Sequence, residues 1–145
     1  MDDKTARLYS ETDDACALCG TRGEKKLTEH HIDGDTNNNK YDNLIILCYN
    51  CHQGYHQRQA ITLDEINNRK RTLIQKTLTQ YGINAMKISA RNGSGVVTML
   101  FLLYHLVELG YMQQEETQMT YQNIDVTVRF TITGDGVDLL TRWFK

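Results

Sequence analysis

Two Cys-x-x-Cys pairs, Cys16-Ala-Leu-Cys19 and Cys48-Tyr-Asn-Cys51, enclose a segment that holds the histidine pair His30-His31 and runs straight on into His52 and His56. All four cysteines and four of the five histidines of the 145-residue chain thus fall within residues 16–56. Ligand-type side chains at this density are rarely found without a metal, and there are enough of them for two separate sites. Two disulfides are a competing use of four cysteines. The N-terminus, Met-Asp-Asp-Lys-Thr, lacks the apolar region of a secretory signal, so zinc comes before disulfides and the cytoplasm is the default location. A thioredoxin-like redox motif would need a single pair in a βαβ setting, and cysteines acting only as small apolar residues would leave the paired spacing to coincidence.

Local signals give the segment an order of elements. Residues 1–15 are polar and acidic and read as a loose lead-in with at most one helical turn. Cys16-x-x-Cys19-Gly20 reads as a knuckle, in which a tight turn aims two thiolates at one ion. Residues 27–33 have the character of a short strand; residues 34–43, rich in Gly, Asp and Asn, form a loop; Leu44-Ile45-Ile46-Leu47 is a second strand delivering Cys48. A short helix over residues 50–60 follows, with His52 and His56 one turn apart on one face. The loop and strands make the 28 residues between the inner cysteines longer than a simple zinc ribbon requires, so the insertion has a further use.

That use is legible in the histidines. His52 and His56 can bind one ion together, and His30, at the end of the paired strand, can supply a third ligand. Three protein ligands leave positions open for water and substrate, as in a catalytic metal site. His31 alternates with His30, so its ring points to the other side and is free to act as a base. The bland alternative is that these are spare zinc ligands or surface imidazoles. Asp33 and Asp35 read as turn residues, and His105 as a packed core histidine.

The text Cys-x-x-Cys, then Glu-His-His-Ile-Asp-Gly-Asp at 29–35, then Asn-Asn-Asn-Lys-Tyr-Asp-Asn-Leu-Ile-Ile-Leu-Cys-Tyr-Asn-Cys-His at 37–52, strongly resembles the HNH endonucleases of the ββα-metal group that carry a four-cysteine zinc site. The resemblance covers about residues 16–57. It implies that Cys16, Cys19, Cys48 and Cys51 hold a structural Zn²⁺, that His30 and His52 bind the catalytic metal, and that His31 is the general base. It further implies that Asn43 braces the loop so that a backbone carbonyl can hold that base. In the colicin-like branch another histidine four residues on also binds the metal, and His56 fits that place. The implied reaction is hydrolysis of DNA phosphodiester bonds to 5′-phosphate and 3′-hydroxyl ends, with Mg²⁺, Mn²⁺, Ni²⁺ or Zn²⁺ as the catalytic divalent ion.

Beyond the segment, Thr62-Leu63-Asp64-Glu65 has capping-box spacing and predicts a helix to about Tyr81, stopped by Gly82. The formal charge of −2 gives no global attraction to nucleic acid, but it is uneven. Residues 1–63 carry 7 Lys+Arg against 10 Asp+Glu, whereas residues 64–82 carry 4 against 2, so Arg69, Lys70 and Arg71 are the candidate phosphate contacts. Residues 96–109 read as a helix apolar nearly all round, residues 111–121 and 124–133 as a hairpin about Gln122-Asn123, and the last residues as a short helix. This order looks like the end of a winged helix-turn-helix domain. In such a domain residues 96–109 would be the recognition helix, yet they carry no Lys or Arg, so packing or homodimerisation is at least as good a use as DNA positioning.

The expected fold is α+β: a zinc-stapled ββα-metal module over 1–61, a basic connector helix over 62–82 and a winged-helix-like module over 83–145. No apolar run is long enough to span a bilayer, so no membrane partner is expected. Two function classes stand. One is a metal-dependent HNH nuclease acting on DNA; the other is a non-catalytic zinc-binding winged-helix regulator of DNA whose histidines are incidental.

Overall fold

The computed structural model describes residues 2–23 and 26–145, and of Asp3 the backbone alone. The chain is mixed helix and sheet and forms two compact units, Met1–Thr77 and Leu78–Lys145. Among the described residues no helix is long and apolar enough to cross a membrane.

The first unit begins with α1 (Asp3–Glu11), where the sequence predicts only a loose lead-in. Asp2 caps it, accepting from the Thr5 amide at 2.7 Å. The polar text hid this helix because only one narrow side of it is inside: Leu8 and Glu11 are buried, and most of the rest is not. Strands β1 (Leu27–His31) and β2 (Leu44–Cys48) pair antiparallel, with His30 opposite Ile45 and His31 opposite Leu44. Every residue of β2 is buried, and α1 and α2 (Tyr49–His56) both pack on it. That is why Leu44-Ile45-Ile46-Leu47 is continuously apolar rather than alternating. Tyr41, Ile66, Leu73 and Ile74 complete this core.

Helix α3 (Leu63–Asn92) starts as expected. The Thr62 amide donates to Glu65 Oε2 at 2.7 Å and the Glu65 amide to Thr62 Oγ1 at 3.2 Å, a reciprocal capping box. It does not stop at Gly82. The backbone leaves helical geometry at Thr79 (φ 66°, ψ 156°), and a second segment then runs through Gly82 to Asn92. Thr79 Oγ1 accepts from the Gly82 amide at 3.1 Å and so caps that second segment. The continuation is held by Ile83, Met86 and Ser89, buried at helical spacing, a face the sequence reading did not weigh.

The second unit is an antiparallel sheet in the order β3-β5-β4 with helices beside it. Residues 96–109 are not one helix. Val96–Met99 form strand β3, paired with the middle of β5, and only Leu100–Glu108 form α4. Gly95 decides the start of the strand, because at φ 93° a Cβ there would run into the Phe130 carbonyl oxygen. A single helix therefore stands between β3 and β4, where a helix-turn-helix needs two. Gly110 (φ 85°) ends α4 in a Schellman motif, with Tyr111 N to Leu106 O at 2.9 Å and Gly110 N to Val107 O at 3.1 Å.

The hairpin is as expected: β4 (Met112–Tyr121) and β5 (Ile124–Ile132) turn at Gln122 and Asn123, both with positive φ, as a type I′ turn demands. Val128 and Phe130 are the core residues of β5, while Ile124 at the tip is exposed. Helix α5 (Gly134–Trp143) buries Gly136, Leu139 and Trp143 and leaves Val137 exposed. His105 is a structural histidine: its Nε2 lies 2.9 Å from the Leu78 carbonyl oxygen, an acceptor freed from helical pairing by the break at Thr79.

Candidate metal centres

The four cysteines converge. The Sγ atoms of Cys16, Cys19, Cys48 and Cys51 all lie within 4.8 Å of one another, and Cys19 and Cys48 are 3.6 Å apart. A tetrahedral zinc with Zn–S near 2.3 Å places its sulfurs about 3.8 Å apart, so four thiols gathered this closely are a donor set of the right kind and size for the ion. Two local devices build it. In the first knuckle the Gly20 amide donates to Cys16 O at 3.0 Å and the Cys16 amide to Thr21 O at 2.8 Å, with Gly20 at φ 78°. In the second, Cys48 is the N-cap of α2 and its sulfur accepts from the Cys51 amide at 3.4 Å. The knuckles meet because the Ala17 amide donates to Ile46 O at 2.9 Å, tying the first loop to β2.

The thiols are not equivalent. The Thr21 hydroxyl, 3.2 Å from Cys19 Sγ, and the Thr21 amide pull the Cys19 thiol down to about 6. Burial pushes the Cys48 and Cys51 thiols up. Four thiolates cannot share this space without a cation, and a metal that binds here must displace protons from the buried pair.

The second cluster is His30, His52 and His56, each offering a ring nitrogen within 4.8 Å of the other two. His30 comes from β1 and is buried; His52 and His56 come from α2, with their Nε2 atoms 3.0 Å apart. The rings meet edge to face, His30 to His52 at 5.0 Å and His30 to His56 at 5.1 Å between centroids. His30 Nε2 is buried and has no hydrogen-bond partner among the described residues. A buried donor or acceptor left unmatched costs about 1–3 kcal/mol, so this nitrogen is positioned for a ligand bond. Burial, then the neighbouring imidazoles, lower the His30 pKa to about 4, and burial and His56 lower that of His52. Both rings are thus neutral at physiological pH, the form that ligates metals. Tyr55, on α2 three residues after His52, packs edge-on against His30 and His56 with centroids 5.1 and 5.0 Å away. Only its spacing marks it in the sequence, three residues after His52 and so on the histidine face of the helix.

Asn43 is fully buried and staples both ends of the loop between the strands. Its Nδ2 donates to Asp33 Oδ1 and to Asn38 O, each at 2.9 Å, and its Oδ1 accepts from the Asp33 amide at 3.1 Å. Asp33 in turn accepts from the Asp35 amide and from Asn38 Nδ2, both at 2.8 Å, so the two aspartates are turn residues. His31 follows His30 on β1 and is half-buried. Its Nε2 lies 2.8 Å from Asn39 Oδ1. The partner is a side-chain amide, not the backbone carbonyl expected for the base, because the asparagine run of the loop brings Asn39 back beside the strand. Sequence alone gave no reason to choose Asn39 over Asn37 or Asn38.

Of the proposed phosphate contacts, Arg69 and Arg71 are exposed but Lys70 is not. Lys70 is fully buried, with Nζ 2.8 Å from Glu11 Oε1 and 3.9 Å from the centroid of the Tyr41 ring, so it cannot meet a phosphate. Helical geometry explains the correction: adjacent residues of α3 point about 100° apart, and the middle cation of the run faces the core. Arg69 Nε donates to Ala17 O at 2.9 Å, beside the first cysteine knuckle.

The sequence model of the HNH endonuclease family matches residues 16–58, which takes in both clusters. Comparisons with curated proteins and with solved structures give no match. The family match carries a nuclease-type or DNA-binding function in general terms, and HNH nucleases act on DNA with divalent metals.

Proposed function

From an HNH module at residues 16–58, we propose that the protein is a metal-dependent endonuclease hydrolysing DNA phosphodiester bonds. In this reading His31 is the general base and Asn43 holds the loop that orients it. His30, His52 and His56 hold one catalytic divalent ion, and Cys16, Cys19, Cys48 and Cys51 hold structural zinc. The observation that carries the reading is the buried, unpartnered His30 Nε2 beside two further imidazoles, all three ligand atoms within 4.8 Å. An imidazole nitrogen buried against two further imidazoles, with no protein group to pair it, is placed to share one ion with them.

A divalent ion bound there supplies positive charge to the scissile phosphate and its leaving oxygen. The chain supplies the rest. His31 takes a proton from a water; the water oxygen forms a bond to phosphorus as the P–O3′ bond breaks. The leaving oxygen takes a proton from solvent, giving 3′-hydroxyl and 5′-phosphate ends, and His31 returns its proton to solvent. Arg69 and Arg71, both exposed on the connector helix, are the candidate contacts to the DNA backbone.

The test is nicking of supercoiled plasmid with Mg²⁺, Mn²⁺ or Ni²⁺. His31→Ala should slow cleavage by about 10²- to 10⁴-fold. Cutting by the variant at the parent rate, or no cutting by the parent with any of these ions, overturns the reading.

A further inference from the structure

His31 presents a problem of orientation. A neutral imidazole carries its proton on either nitrogen, and a half-buried ring on a short strand can rotate. Only one state leaves a lone pair directed at a water. The Asn39 amide oxygen, 2.8 Å from His31 Nε2, settles both points, since it has no proton to give and must accept one. Nε2 then carries the proton and Nδ1 the free lone pair.

Asn39 is itself held from two sides. Its carbonyl oxygen accepts from Lys4 Nζ at 2.7 Å, an ammonium that α1 brings to the loop. The preceding carbonyl, Asn38 O, accepts from the buried Asn43 amide at 2.9 Å. Both bonds go to backbone carbonyls, so they fix the stretch of loop from which the Asn39 side chain reaches His31.

We propose that Asn39 is a positioning residue for His31, fixing its tautomer and ring orientation so that Nδ1 is the proton acceptor; this deepens the nuclease reading and rests on it for its catalytic consequence. Lys4 and Asn43 hold Asn39 in place. The role is one that a side chain, not a backbone carbonyl, performs in this chain, and it is therefore open to substitution.

Three proteins decide it: the parent, Asn39→Ala and Asn39→Asp, each as the full metal-loaded chain. Asn39→Ala should lower kcat about 3- to 10-fold, the range of one neutral hydrogen bond, with KM within about twofold. Asn39→Asp, which keeps an acceptor oxygen at the same place, should restore kcat. Independently of cleavage, ¹⁵N spectra of the His31 ring at alkaline pH should show Nε2 protonated in the parent and in Asn39→Asp, and both nitrogens averaged in Asn39→Ala. An alanine variant with parental kcat and a parental His31 spectrum overturns the proposal, as does a parent ring protonated on Nδ1. If the parent cuts no DNA the nuclease reading fails, and the ¹⁵N spectra still decide whether Asn39 fixes the ring.

Discussion

Glu11 is buried, and its carboxylate accepts from Lys70 Nζ at 2.8 Å, from the Thr77 hydroxyl at 2.9 Å and from the Tyr41 hydroxyl. Lys70 in turn lies over the Tyr41 ring. A charged pair with no exposed surface stands only where its hydrogen bonds are complete, and removal of one partner leaves the other charge without a counterion in low dielectric. Lys70→Met keeps the aliphatic stem and deletes the charge, so it should destabilise the first unit by about 3–5 kcal/mol, with Glu11→Gln in the same chain recovering part of the loss. Chemical denaturation checks this, and a single variant as stable as the parent would contradict it. Neither residue was marked by the sequence for this use. Glu11 sat in an acidic lead-in and Lys70 in a basic run, both typical of solvated faces.

Helix α2 joins the two metal clusters. It is capped by Cys48, carries Cys51 and His52 in succession, and presents His56 one turn later. Loss of the zinc ligands should therefore displace His52 as well. On the proposed reading, Cys51→Ser loses both the zinc, by elemental analysis, and the nuclease activity, while a folded, active Cys51→Ser protein would separate the two centres. The strands, loop and helix of residues 27–56 were legible because their causes are local. The Leu-Ile-Ile-Leu run, the Asn-rich loop and the i, i+4 histidines each fix a conformation within a few residues. The break at Thr79 and strand β3 were not legible, since both depend on partners distant in the chain. Residues 96–99 are a strand because β5 lies beside them, and apolar text of that length suits a helix equally well.

The two units have separate cores, Leu8, Ile45, Ile46 and Ile74 in one, Leu103, Leu106, Val128 and Phe130 in the other. The first contains the two candidate ligand clusters, and on the proposed reading a bound zinc supplies part of the folding energy of so small a module. Chelation that strips zinc should thus raise amide hydrogen exchange in β1, β2 and α2 while leaving β5 and α4 protected. Uniform loss of protection across both units would show that the metal stabilises more than the unit that contains it.

The sequence by itself determined which atoms could bind metal and in what order, because Cys-x-x-Cys, the His-His pair and the i, i+4 histidines are spaced by the geometry of a turn, a strand and a helix. It also determined, through those same residues, the match to the HNH family. Only the tertiary structure decided that His30 Nε2 is buried without a partner, that Asn39 rather than a backbone carbonyl meets His31, and that Lys70 faces inward to Glu11 across 59 residues of chain. Local periodicity states which face a side chain occupies on its own element. It does not state what the rest of the chain brings against that face, and burial and hydrogen-bond partners are set there.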